Sequence, residues 1–133
     1  MIVDLKRYAV FFILGGVGYG IIEFFWRGYT HWSMMIAGGM AFISFSLIAD
    51  KLSEVPLILK AMLGAACVTV IEFVFGVVFN IALGMEVWDY GSESYNLMGQ
   101  ICPRFTALWV ILSLIFIPIA GILNGWIERT WRA

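Results

Sequence analysis

Glu72 is a carboxylate inside a stretch of sequence that otherwise carries no charge. Residues 61–85 contain no other Asp, Glu, Lys or Arg, and they are long enough to cross a bilayer. A charged side chain near the middle of the hydrocarbon is costly, so an ionisable residue there is a candidate for function. We expect Glu72 to be protonated, to bind a cation, or to pair with a residue such as Arg27 or Arg104. We therefore predict that Glu72 belongs to a site that binds a proton, a cation or a small solute.

Glu23 is a second carboxylate in an apolar run, and two interpretations of it remain open. It precedes Arg27 by four residues, which is the spacing of an ion pair on one helix face. Alternatively, it joins Glu72 in a site for a proton or cation. Tyr19 lies one turn before Glu23 and could hydrogen-bond to it, and Asn80 lies two turns after Glu72 and could add a neutral ligand. Because lipid penalises buried polar groups, we predict that Glu23, Glu72 and Asn80 line a central axis.

A long polar and aromatic segment, residues 86–104, separates two apolar runs. Connections between packed helices usually take two to eight residues, so a longer one is either functional or disordered. Its aromatic residues suggest packing at the membrane surface or partial re-entry, and Asp89 could accept backbone hydrogen bonds or pair with Arg104. Asn96 and Gln100 could fold the segment back over the helices. The candidate residues of this outer region are Trp88, Asp89, Tyr90, Asn96, Gln100, Arg104 and, from an earlier turn, His31.

His31 is the only histidine of the chain. It is either a solvated residue at the membrane interface or a ligand beside Glu23 and Asp89. The carboxylates are not at a standard metal-ligand spacing, so the sequence leaves the presence of a metal site unknown. It also contains no recognisable nucleophile–base set and no Walker A sequence. We therefore assign no catalytic residue, expect no cofactor, and favour a protein that is not an enzyme.

Composition indicates an integral membrane protein. Of the 133 residues, 62% are hydrophobic and 13% are charged, whereas a soluble domain is about half apolar and about a quarter charged. The net charge of −1 and the lack of a Lys/Arg cluster argue against nucleic acid as a partner. Cys67 and Cys102 make neither a disulfide scaffold nor a CxxC motif.

Charge-free windows predict four transmembrane helices in one domain, residues 1–133. The predicted fold is an all-α membrane-spanning bundle with a long outer loop between helices 3 and 4. Pro103 stands just before the fourth helix, where proline is favoured as a start residue. The predicted helices cover residues 8–22 with an extension to 26, residues 32–49, residues 61–85 and residues 105–127.

The distribution of Lys and Arg predicts the orientation of these helices. Arg27 and Arg104 would lie on the outer side, against six basic residues on the inner side, namely Lys6, Arg7, Lys51, Lys60, Arg129 and Arg132. Under the positive-inside rule both termini are cytoplasmic, in a multi-pass protein of the inner (plasma) membrane.

A short internal similarity suggests a repeat of helix pairs. Residues 22–24 read Ile-Glu-Phe and so do residues 71–73, and both copies lie on helices that run from inside to outside. Helices 1–2 and 3–4 could therefore be two copies related by an axis along the membrane normal, as in some transporters. Chance similarity between apolar sequences is the alternative.

Several of these residues together resemble a family of small bacterial membrane proteins, the ABC-transporter permeases of the type IV or CmpB-like group. The motifs that carry the resemblance are Gly18-Tyr19-Gly20 with Glu23, Glu72 with Gly76, Trp88-Asp89-Tyr90, Asn96, Gly99-Gln100-Ile101-Cys102, Phe105 and Trp109. The sequence departs from the family pattern at residues 91–95, where relatives often have a Ser and a Pro. The resemblance implies joint use of Glu23, Glu72 and the Trp-Asp-Tyr loop, and it indicates no substrate.

We predict a permease or a membrane subunit of a transporter for an ion or small solute. Glu72 and Glu23 would bind the proton or cation, and the loop around Asp89 and Asn96 would act as a lid. Four short helices rarely enclose a permeation path alone, so we expect a homodimer or larger oligomer, or a partner such as a separate ATPase. One alternative is a structural or regulatory membrane protein in which the Glu residues fix helix register. Another is an outer-leaflet enzyme that uses Asp89, His31 and Glu23.

Overall fold

Four long helices form most of the chain in a computed structural model, which describes residues 2–132. They are α1 (Ile2–Arg27), α2 (Trp32–Lys51), α3 (Leu57–Phe75), which continues as a π-helix (Gly76–Ala82, the π segment), and α4 (Pro103–Arg132). Four spans are long and apolar enough to cross a membrane. No strand occurs within residues 2–132, where pairing is limited to an isolated bridge between Leu97 and Ile101. The predicted all-α bundle of four membrane-spanning helices is confirmed.

The helices extend beyond most of the predicted ends. α1 begins before Lys6 and α3 begins before Lys60, because a charged residue near the end of a span can remain helical while its head group reaches water. The third span instead stops earlier than predicted, at Ala82. Gly84 and Glu86 have φ angles of +64° and +52°, which end the helical path there.

α1 and α2 form an antiparallel pair whose backbones approach closely at glycines. A Cβ atom on Gly38 would lie 2.5 Å from the Cβ of Tyr19 and 2.8 Å from the carbonyl oxygen of Gly15. Small residues of this kind allow the close contact of helices in lipid. α3 and α4 form the second antiparallel pair, although a common origin of the two pairs stays a prediction.

α2 joins the two pairs, because it packs against α3 and α4 as well as α1. Ser46 of α2 donates to Asn124 of α4 at 2.7 Å, and the Asn124 amide donates back to the Ser46 carbonyl at 3.0 Å. The main apolar core surrounds this link and consists of Phe11, Phe45, Ile48, Val68, Ile117, Ala120 and Ile127. α1 makes far fewer contacts with α4 than with α2, so a cleft remains between α1 and α4.

The connecting loop, residues 83–102, is folded onto the helices. Its backbone closes on itself through bonds from Tyr90 N to Gly99 O at 2.8 Å and from Leu97 N to Ile101 O at 2.9 Å. Val87 and Trp88 are buried and pack with Met34 of α2. The loop is therefore a part of the bundle that covers one end of it.

Candidate carboxylate site

Glu72 lies in the last turn of α3, and only 5% of it is exposed. Its Oε2 accepts a hydrogen bond from the hydroxyl of Tyr90 at 3.0 Å. Its Oε1 is buried and has no hydrogen-bond partner among residues 2–132. The indole Nε1 of Trp109, also buried and without a hydrogen bond of normal geometry in the described chain, interacts with the same carboxyl group. Glu72 therefore presents one satisfied and one free oxygen to its surroundings.

Tyr90 brings the connecting loop into contact with Glu72. Its ring stacks on Phe105 of α4, with the ring centroids 4.6 Å apart and the planes 4° from parallel. Burial, and then the nearby Glu72 carboxyl, raise the pKa of the Tyr90 hydroxyl above its ordinary value. The hydroxyl is consequently protonated at neutral pH and remains a donor to Glu72.

Glu23 pairs with Arg27 on α1. The Oε2 of Glu23 lies 2.5 Å from the Nε of Arg27, so the ion pair that the four-residue spacing suggested is formed. Arg27 also donates through Nη1 to the carbonyl oxygen of Val87 at 2.8 Å, which ties α1 to the connecting loop. Tyr19 is within hydrogen-bonding reach of Glu23, and Glu23 is near enough to Glu72 for the two carboxyl groups to interact electrostatically.

A partly open cavity of about 130 Å³, the inner cavity, lies between the helices beside Glu72. Residues from α1, α2, α3 and α4 line it, and Trp88 of the connecting loop closes one side. Most of its wall is apolar, and among the described residues that line it Glu72 is the only ionisable acid or base apart from the hydroxyl of Tyr19. The free oxygen of Glu72 thus belongs to a site with room for a ligand.

A second, wider space of about 600 Å³, the outer cleft, lies on the loop side of the molecule. Arg27, Asn80, Asp89 and Tyr90 are among its lining residues. Trp88 lines both the outer cleft and the inner cavity. Trp88 and the Tyr90–Glu72 hydrogen bond therefore stand between the two spaces.

Asn80 occupies a different position from the one its spacing predicted. It does not line the inner cavity, and its side chain instead holds the connecting loop. Its amide donates to Gln100 Oε1 at 2.8 Å, and its own oxygen accepts from the backbone N of Val87 at 2.6 Å. Asn80 lies within the π segment, two turns beyond Glu72, at the level of the connecting loop that its side chain holds.

Asp89 and Asn96 shape the loop itself. Asp89 Oδ1 accepts from the backbone N of Gly91 at 2.7 Å, which is the first of its two predicted roles. Asn96 donates to the carbonyl oxygen of Glu93 at 2.9 Å and accepts from the backbone N of Gly99 at 2.9 Å. Gln100 is buried and donates to the carbonyl oxygen of Met98 at 2.9 Å. These residues give the loop its fixed shape and do not contact Glu72.

Among the described residues, Arg104 and His31 have partners other than Glu72 and Glu23. The Arg104 side chain is 69% exposed and pairs with Glu93 at 3.4 Å, so its partner is neither Glu72 nor Asp89. His31 caps the start of α2, where its Nδ1 accepts from the backbone N of Ser33 at 3.2 Å. Within residues 2–132 no group of three or more His, Cys, Asp or Glu side chains could hold a metal ion.

Trp109 was not among the site residues selected from the sequence. The available signal was its position one turn inside an apolar span, since a buried indole N–H usually needs a hydrogen-bond acceptor. The acceptor with which it interacts, Glu72, lies on another helix, so spacing along the chain could not connect the two residues.

Residues 9–131 match the family described as "Putative ABC-transporter type IV". The matched range holds the whole of the carboxylate site, the connecting loop and almost all of the four helices. No curated protein and no solved structure matches the chain.

Proposed function

This chain belongs to the "Putative ABC-transporter type IV" family, and we propose that it is the membrane component of a transporter in which Glu72 binds a proton, a cation or a small solute. Glu23, Arg27 and Tyr19 set the electrostatic surroundings of that site. Asn80 holds the loop above it, and the connecting loop acts as the lid. The family and the four apolar helices make the protein a transporter-related membrane protein. The carboxylate site and its role are the proposal.

One observation carries the proposal: Tyr90 and Trp88 of the loop separate the outer cleft from the inner cavity, and Tyr90 does so by bonding to Glu72. A ligand that takes the place of Tyr90 on the carboxylate would release the loop and join the two spaces. Ligand binding at Glu72 is thereby coupled to the opening of the inner cavity toward the outer cleft. A residue that only fixed helix register would not need to line a cavity with one carboxyl oxygen left without a hydrogen bond of normal geometry among the described residues.

We further propose that both termini are cytoplasmic, in the inner (plasma) membrane, and that the chain works as a homodimer or larger oligomer or with a separate ATPase subunit. The support is the excess of Lys and Arg at one end of the helices and the lack of a nucleotide-binding motif in the chain. An inner cavity of about 130 Å³ does not cross the bundle, so a complete path needs a rearrangement or a second subunit.

Flux into proteoliposomes tests the role of Glu72. Vesicles with an entrapped pH-sensitive dye receive an imposed proton gradient in the presence of Na⁺ or K⁺. We expect flux that depends on the protein and that Glu72→Gln lowers at least about tenfold, since one charge-assisted hydrogen bond corresponds to a factor of that size. Gln has the same shape and can still accept from Tyr90.

Glu54→Gln is the matched control, because Glu54 is exposed in the short turn between α2 and α3. It should leave the flux unchanged. Equal flux for wild type and a well-folded Glu72→Gln variant would contradict the proposed role. Absence of flux together with full function of Glu72→Gln in cells would favour the structural alternative.

A further inference from the structure

The inner cavity has the size of a single ring or a short alkyl chain. Its volume is about 130 Å³, and an engineered apolar cavity of about 150 Å³ in another protein stays dry and binds benzene. The apolar part of the wall includes Leu14, Ala41, Phe45, Val68, Leu112 and Phe116. A hydrated inorganic ion would lose its water against such a wall without replacement ligands, so the wall favours a ligand with an apolar body.

The polar part of the wall favours a cationic head on that ligand. Glu72 Oε1 is buried and accepts no hydrogen bond of normal geometry among the described residues, although the Trp109 indole interacts with the same carboxyl group. An acceptor left in this way is costly. Within the part of the chain that the structure describes, no Lys, Arg or His side chain lines the cavity. An ammonium group would supply both a donor and the opposite charge. Tyr19, Trp88 and Trp109 add aromatic surfaces in the same wall, which attract cations.

The cavity is open on the side of α1. Gly18 lines it, and a Cβ atom added to Gly18 would find no other atom within 4 Å. α1 also packs far less closely against α4 than against α2. This open side at α1 gives a ligand dissolved in the apolar phase of the membrane a second route to Glu72, besides the one that the connecting loop covers.

From these observations we infer that the inner cavity binds a small hydrophobic amine in its cationic form. The ammonium group lies on Glu72 Oε1, and the apolar ring or chain lies against the apolar part of the cavity wall. The inference rests on the proposed role of Glu72 as a binding carboxylate and adds the class of its ligand. A neutral apolar solute and an inorganic cation are the competing occupants, and the test separates them.

Three probes of one shape and different charge provide the test: benzylamine, which is protonated at neutral pH, benzyl alcohol and benzoate. Binding to the purified protein in detergent is followed by quenching of tryptophan fluorescence and by thermal stabilisation. We expect benzylammonium to bind at least about tenfold more tightly than benzyl alcohol, because a hydrogen bond to a charged group is worth a factor of that size. Benzoate should not bind measurably.

Two variants connect the preference to this cavity. Glu72→Gln should reduce the preference for benzylammonium over benzyl alcohol to near unity and leave the binding of benzyl alcohol. Gly18→Phe fills the open side and should abolish the binding of both, whereas Val17→Phe, at a neighbouring position that is 49% exposed, should change neither. Gly18→Leu is the second variant if Gly18→Phe lowers the yield of folded protein.

Equal binding of benzylamine and benzyl alcohol to the wild type would overturn the inference, and so would a preference that survives in Glu72→Gln. Saturable Na⁺ or K⁺ binding that benzylamine does not displace would identify an inorganic ligand and overturn it as well. If benzylammonium binding depends on Glu72 but the flux does not, the proposed ligand class stands and the transport role of Glu72 is contradicted.

Discussion

At the scale of single residues, the bond between Tyr90 and Glu72 joins the loop to the buried carboxylate. Removing the Tyr90 hydroxyl leaves Glu72 Oε2 buried without its donor, which costs about 1–3 kcal/mol. We therefore expect Tyr90→Phe to lower the free energy of unfolding by that amount in a denaturation series in detergent. Tyr95→Phe is the control, because Tyr95 is 90% exposed in the same loop. Equal effects of the two substitutions would show that the bond contributes nothing.

The same hydroxyl predicts how stability depends on pH. Burial and the Glu72 carboxyl raise the pKa of Tyr90 in the folded protein, whereas an unfolded tyrosine loses its proton near pH 10. Below about pH 10 both states hold the proton, so this group causes no change in stability. Above about pH 10 the unfolded state binds fewer protons, and the free energy of unfolding falls as pH rises. The fall should be smaller in Tyr90→Phe than in the wild type when denaturation is measured at increasing pH.

Residue types alone identified Glu72 and Glu23 as candidates, because a charge in an apolar run is a local property of the sequence, and Tyr90 was selected as part of the long aromatic loop. The partners of Glu72 could not be identified in this way. Tyr90 reaches it from the connecting loop and Trp109 from α4, so both contacts depend on how distant parts of the chain pack. For the same reason the sequence left Arg104 open as a partner of Glu72, although it pairs with Glu93.

At the scale of elements, the π segment and the connecting loop form one unit. Gly76 begins the π segment, and the Gln100 side chain packs directly on it. A Cβ atom on Gly76 would lie 2.8 Å from the Cβ of Gln100, which leaves no room for alanine. Gln100 in turn accepts a hydrogen bond from the Asn80 amide. The side-chain oxygen of Asn80 accepts one from the backbone N of Val87. The absence of a side chain at Gly76 thus lets the loop close over the bundle.

Gly76→Ala should therefore release the loop. We expect a loss of about 1–3 kcal/mol in stability, as for other overpacked sites, and faster hydrogen exchange at backbone amides of the loop such as Val87. Gly18→Ala is the matched control, because its methyl group enters open space on α1. The control should be neutral or stabilising by up to about 1 kcal/mol. Unchanged exchange at Val87 in Gly76→Ala would contradict this account of the docking.

The helices were predictable because the length of an apolar run is a local property, and four such runs give four spans. Their ends were less predictable. Lys6 and Lys60 interrupt the apolar pattern without ending α1 or α3. The π segment was not predictable from periodicity, and the Gln100 side chain that packs on Gly76 comes from the distant loop. The sequence therefore could not show that Asn80 would bond to that loop.

At the scale of the whole molecule, two spaces lie in series along the bundle. They are the outer cleft and the inner cavity, and Trp88 stands between them. The orientation of the protein in the membrane therefore decides from which side a ligand in the outer cleft would reach Glu72. With the predicted orientation the outer cleft faces away from the cytoplasm, and Glu72 is reached from that side once the loop moves. In the reverse orientation the lid would face the cytoplasm, and an ATPase on that side would meet the loop instead of the termini.

Labelling of single cysteines in intact cells decides between these orientations. Ser92 is exposed in the connecting loop and Ser53 is exposed in the turn between α2 and α3, so the two positions are matched in residue type and exposure. In a background with Cys67→Ala and Cys102→Ala, we expect a membrane-impermeant maleimide to label Ser92→Cys in intact cells and to label Ser53→Cys only after the membrane is opened. The physical reason is the excess of Lys and Arg, which under the positive-inside rule would place the α2–α3 turn and both termini on the cytoplasmic side. The opposite labelling pattern would reverse the orientation and place the lid over Glu72 on the cytoplasmic face.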